Sequence, residues 1–122
     1  MGQTFEIFPT KIYSDFLDRR ISDIELGEVI KLGEETHDNF GNLISNNQYI
    51  LDNKKFIGIK NFIQRSLNEY IQKIIQPKNE VSIYITQSWL NYNRTNEFHH
   101  LHYHKNSYLS GVFYFNTVEN DK

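Results

Sequence analysis

Four of the five histidines of this chain fall within six consecutive positions, at His99, His100, His102 and His104. Imidazole nitrogen is a general metal ligand and a proton carrier near neutral pH. In extended backbone, successive side chains point to opposite faces. His100, His102 and His104 then share one face, and His99, Leu101 and Tyr103 share the other. Neighbours on one face stand ~6–7 Å apart at their bases. Two imidazoles lean together from there onto one ion, whereas three in a straight row need a bend. The chemistry therefore asks for two of these histidines and a third ligand from elsewhere. The chain has no cysteine, so disulfides, thiolate zinc, iron–sulfur clusters and a cysteine nucleophile are excluded, and any metal is held by nitrogen and oxygen. Two plainer readings stay open: a solvent-facing or otherwise satisfied histidine cluster, and a surface zinc or nickel site without catalysis.

The elements that must position this cluster follow from periodicity. Residues 5–13 are rich in aromatic and β-branched side chains and predict an opening strand, with Pro9 favouring an edge or a break. Ser22-Asp23-Ile24-Glu25 is a capping box. It predicts a helix of roughly three turns that ends near Glu35. The Asn-, Asp- and Gly-rich segment from His37 to Asn53 reads as loop. Phe56, Ile59, Phe62, Ile63, Leu67, Tyr70, Ile71 and Ile74 then keep helical offsets, with Asp52 or Asn53 as cap and Pro77 as terminator. Such a stripe must be buried against a flat apolar partner, which means a sheet. From Val81 the period becomes two and runs to about Asn93. Two further strands are predicted at Phe98 to His104 and Tyr108 to Asn116, followed by a polar stub over 118–122.

The block around the histidines is similar to a known family. Ser88-Trp89-Leu90-Asn91 precedes them, and Leu109-Ser110-Gly111-Val112-Phe113-Tyr114 follows. This resembles the 2-oxoglutarate–Fe(II) oxygenase family of bacteria and phages. There a strand bearing Trp and Asn leads into a His-x-His pair, here His102-Tyr103-His104, and then into a Leu-Ser-Gly-Val-Tyr-Tyr-like strand. Phe8-Pro9-Thr10-Lys11-Ile12-Tyr13 resembles the family's opening segment, and Ser45-Asn46 a short motif ahead of its long helix. The resemblance implies an α+β fold: N-terminal helices packed on an antiparallel jelly roll (double-stranded β-helix), incomplete in this chain. It implies Fe(II) as metal and 2-oxoglutarate as cosubstrate, with two histidines and one carboxylate on a face of the iron. His102 is the foremost ligand candidate by this resemblance, and His104 and His100 are the others. His104 stands where wider relatives carry Asp or Glu, so it is either a ligand or a wall of the pocket. Trp89, Asn91 and Tyr114 are candidates for the cosubstrate pocket, against the plainer reading of core aromatics and a strand-edge amide. Gly111 is expected to allow close backbone approach.

The family's later strands carry a distal histidine and a basic partner for 2-oxoglutarate. No histidine follows His104 here. The expectation is one domain over 1–122, with a strand and helices through 77 and the first β-helix strands over 80–118. A second copy or a second chain would complete the barrel. The alternative function is a non-catalytic metal-binding or protein-interaction module on the same scaffold. A formal charge of −2 argues against nucleic acid, which needs a basic excess. The N-terminus has neither signal-peptide nor myristoylation character, and no apolar run approaches ~18 residues, so a cytoplasmic protein is expected. The substrate is not readable: a peptide side chain, a small metabolite and a nucleobase are all compatible with the aromatic and amide residues.

Overall fold

The computed structural model describes residues 2–3 and 9–116. Part of the expected opening strand and the whole polar stub fall outside them. Residues 9–13 are described and carry no strand. Tyr13 instead docks on the second helix, with its hydroxyl donating to Glu69 at 3.0 Å and its ring edge-on to Tyr70.

The first helix, α1 (Asp23–Leu32), starts where its capping box demands. Ser22 Oγ accepts from Glu25 N, and the Glu25 carboxylate accepts from Ser22 N at 2.8 Å. The same carboxylate takes both arms of Arg19, at 2.6 and 2.8 Å. These donors hold Glu25, buried at 3% exposure, down to a pKa of about 2, the Arg19 hydrogen bonds being the largest cause. Beside it Glu28 is buried against Lys55 and Asn53, and its carboxyl is likewise held low, chiefly by the Lys55 hydrogen bond.

The Asn-rich stretch expected as loop contains a hairpin. Strands β1 (Thr36–Asp38) and β2 (Leu43–Ser45) pair antiparallel with Thr36 opposite Ser45, and β2 pairs antiparallel with β3 (Asn91–Tyr92). The sheet has the order β1-β2-β3. Three-residue strands leave too little alternation for a period to register, so tertiary pairing overrides local composition here. Ser45, fully buried, anchors the sheet. Its hydroxyl donates to the Asn47 carbonyl and accepts from Leu90 N, while its N–H reaches the Leu90 carbonyl. Ser88 is gripped in the same way by Gln48, Ile50 and Leu51. The chain entering β3 is thereby fixed at both Ser88 and Leu90.

The second helix, α2 (Ile57–Tyr70), follows 3-10 turns at Ile50–Asp52 and Lys54–Phe56, and Asn53 caps the second of these through Lys55 N. A π turn over Ile71–Ile75 and a left-handed Gln76 close it just before Pro77. Phe56 and Ile59 are fully buried with Ile50, Leu51 and Leu90, and Ile85, Tyr92, Phe113 and Phe115 pack around them. The partner of the α2 stripe is thus only partly a sheet. Residues 81–87, 98–104 and 108–116 carry no strand ladder. Their alternation nonetheless survives as burial. Ile83 and Ile85 turn inward between exposed neighbours, as do Phe113 and Phe115, which meet Phe62 and Phe56 edge-on at 6.1 Å. The described residues therefore form an α+β arrangement with three short strands where four or five were expected, and a jelly roll is not shown. A Cβ built on Gly111 would meet no described heavy atom within 4 Å, so the close backbone approach expected there is not seen. No helix among the described residues is long and apolar enough to cross a membrane.

Candidate metal centre

The four clustered histidines lie on one irregular, exposed segment, and their rings are contiguous. Centroids stand 4.3 Å apart for His99–His102, 5.3 Å for His100–His102 and 4.8 Å for His102–His104. The face separation expected of a regular strand is therefore absent: His99 joins the others. Partial burial holds the His99 imidazole below its ordinary pKa, and repulsion from His102, His100 and His104 adds to this.

His102 and His104 turn their ring nitrogens towards each other, with Nε2 3.1 Å from Nε2. Two nitrogens each ~2.1 Å from one ion, at adjacent positions on it, lie ~3 Å apart. The His102 tautomer also suits a ligand. Its Nδ1 faces the His100 carbonyl at 2.8 Å, an acceptor, so the proton sits on Nδ1 and the Nε2 lone pair is free. His100 Nδ1 likewise donates to the Asn39 carbonyl at 3.0 Å. Trp89 lies 5.4 Å from the His104 ring at a 32° tilt and supports it from behind. The donor set thus fits two adjacent positions of a nitrogen-ligated metal. Among the described residues no three His, Asp or Glu side chains converge on one ion, and no described carboxylate completes the pair.

An open cavity of about 500 Å³ adjoins these rings. His100, His102 and His104 line it together with Leu101, Tyr103 and the polar residues Gln87, Lys105 and Ser107. Of the residues expected at a cosubstrate pocket, Trp89 meets the cluster through His104. Asn91 sits in β3 opposite Ile44, and Tyr114 stands 70% exposed between the inward Phe113 and Phe115.

Residues 87–122 match the model of the family described as "Putative 2OG-Fe(II) oxygenase". The match spans under a third of the chain, and it holds Trp89, Asn91, all four clustered histidines and Tyr114. It supports an oxygenase affiliation, with iron and 2-oxoglutarate dependence in general. No curated protein and no solved structure matches the chain.

Residues outside the match also reach the histidines, and sequence reasoning missed them. Asn39, Phe40, Gly41 and Asn42 form the β1–β2 turn. Phe40 lies edge-on to His100 at 5.9 Å, and the Gly41 carbonyl accepts from Phe98 N at 3.1 Å. The dense turn signal Asp38-Asn39-Phe40-Gly41-Asn42 marks a turn. Nothing in the sequence indicates what that turn touches.

Proposed function

We propose that this chain carries the iron end of an Fe(II)- and 2-oxoglutarate-dependent oxygenase of the hydroxylase type, of the bacterial and phage kind built on a jelly roll. The observation that carries this reading is the His102–His104 pair, whose Nε2 atoms stand 3.1 Å apart inside the segment that matches the family. His102 and His104 hold the metal, and His100 or a group beyond the described residues supplies the third ligand. The chemistry that iron and cosubstrate would supply when bound is hydroxylation of a C–H bond by dioxygen, one oxygen atom entering the substrate and the other the succinate formed, with carbon dioxide, from 2-oxoglutarate.

The chain's own contribution is orientation. The His100 carbonyl keeps the proton on His102 Nδ1, so that Nε2 faces the metal as a lone pair. The Trp89 ring limits the rotation of His104. In the adjoining cavity Lys105 offers an ammonium to an anionic ligand, with Gln87 and Ser107 as neutral hydrogen-bond partners. Trp89, Asn91 and Tyr114 form the approach to the cosubstrate. The protein works in the cytoplasm as one domain, and a second copy or another chain adds strands to the sheet.

Anaerobic Fe(II) titration by calorimetry tests this, with and without 2-oxoglutarate, beside His102→Ala. One-to-one binding that 2-oxoglutarate tightens and the variant loses is the expected result, followed by succinate release in air. Binding indifferent to His102 and to 2-oxoglutarate would refute the reading.

A further inference from the structure

One turn outside the matched segment hydrogen-bonds to both His99 and His100 and lays a ring against His100. We infer that Asn39 is a positioning residue for the histidine cluster, holding His99 and His100 in opposite tautomers.

The backbone carbonyl of Asn39 accepts from His100 Nδ1 at 3.0 Å, which puts the His100 proton on Nδ1. The side-chain amide of Asn39 donates through Nδ2 to Asn42 Oδ1 at 2.9 Å and, in a longer hydrogen bond of 3.4 Å, to His99 Nδ1. A ring nitrogen that accepts carries no proton, so His99 is protonated on Nε2. One residue thus sets two adjacent imidazoles oppositely. The Asn39 amide is itself held: Asn42, 2% exposed, passes the chain of amides on to Asn93 Oδ1 at 2.9 Å. The turn therefore grips the chain at Asn93 and again at Phe98 to His100, stapling the Arg94–Glu97 turn between them.

The backbone of the turn shows that this grip is imposed. Phe40 holds φ 55°, a left-handed conformation that bulky residues avoid, with its ring against His100. Gly41 holds φ 140°, and a Cβ there would lie 2.7 Å from the Phe98 carbonyl oxygen. Because His102 Nδ1 donates to the His100 carbonyl, the orientation set at residues 99 and 100 passes to the His102–His104 pair. The effect on metal affinity rests on the oxygenase reading above. The effect on tautomers does not.

The test compares wild type, Asn39→Ala and Asn39→Asp in metal-free protein, by long-range ¹H–¹⁵N correlation spectra recorded well above the histidine pKa. Wild type should show His99 as the Nε2–H tautomer and His100 as Nδ1–H. Asn39→Asp replaces a donor by an acceptor of the same shape and should move the His99 proton to Nδ1. Asn39→Ala should leave His99 a mixture, with His100 retained by the backbone carbonyl. The same tautomer at His99 in all three proteins overturns the inference. In a parallel Fe(II) titration both variants should bind roughly tenfold more weakly than wild type, the scale of other groups that orient ligands. If wild type binds no Fe(II), the oxygenase reading falls and the tautomer spectra alone decide the role of Asn39. If it binds and the variants match it in affinity and spectra, the role of Asn39 falls instead.

Discussion

Between Ile21 and Gln76 the chain is tied by a capping box, two helices and a strand hairpin, and it buries Phe56 at 0% and Ile59 at 1% exposure. Between Phe98 and Asn116 there is no strand ladder, and Leu101, Tyr103 and Tyr114 stand 70% exposed or more. Yet this second region carries the four clustered histidines and lies within the segment that matches the family. It is held by contacts borrowed from the first: Phe113 on Phe62 of α2, Phe115 on Phe56, and Phe98 to His100 on the β1–β2 turn. Most of the regular structure and the candidate site are thus separated along the sequence. The histidines' geometry depends on groups some sixty residues upstream, as the Asn39 carbonyl and His100 show with a separation of 61.

The harshest way to break that arrangement is to empty the core from which both regions hang. Phe56→Ala removes a fully buried ring that touches Phe115, and it should cost about 3–5 kcal/mol. Denaturant unfolding should show the midpoint collapse, and Fe(II) affinity should fall with it because the second region loses its anchor. Retained affinity in a destabilised protein would show that the histidine segment folds without α2. Next comes Gly41→Ala, which strikes only the join. The clash with the Phe98 carbonyl and the positive φ together should cost about 2 kcal/mol. Here the expected signature is selective, with tenfold or greater loss of Fe(II) affinity and an unaltered helical circular dichroism spectrum. Equal affinity in wild type and variant would mean the turn does not set the site.

The legible parts of this protein are those where one local signal suffices. Ser22 and Glu25 announce the start of α1, the Phe56 to Ile74 stripe announces α2, and Pro77 its end. The four histidines and the Trp-x-Asn segment ahead of them flagged the region that matches the family. The hairpin at Thr36 to Ser45 was not legible, because its strands are too short to alternate and its residues favour turns. Strand pairing after residue 80 was over-read. Alternating Ile83 and Ile85, or Phe113 and Phe115, reports a face turned away from solvent and not a hydrogen-bonded neighbour. The grip of Asn39 on His99 and His100 joins residues about sixty apart, and spacing along one chain carries no trace of it.

Two smaller perturbations sharpen the comparison by touching the first region alone. Glu25→Gln breaks the paired hydrogen bonds to Arg19 and should cost roughly 1.5 kcal/mol near neutral pH, at the low end for charged hydrogen bonds because Arg19 is 40% exposed. The sign with pH follows from the depressed pKa. Folding holds Glu25 at about 2, below the ordinary 4.5, so its contribution is complete above 4.5 and is lost as pH falls from 4.5 towards 2. Wild-type thermal midpoints should therefore drop through that window more steeply than those of Glu25→Gln, and parallel curves would show that Glu25 is not the titrating group. Ser22→Ala is the mildest change. It deletes the Oγ acceptor of Glu25 N while the Glu25 carboxylate still accepts from the backbone of residue 22, so half of the capping box persists and the loss should be about 0.5–1 kcal/mol. α1 makes no described contact with the clustered histidines, and it reaches the strand that leads towards them through the Tyr92 hydroxyl, which donates to the Val29 carbonyl at 2.6 Å. Fe(II) affinity of Ser22→Ala should then stay within twofold of wild type while the thermal midpoint falls. A larger drop in affinity would mean that the end of α1 is coupled to the histidines through Tyr92, and that the two regions are less separable than their contacts indicate.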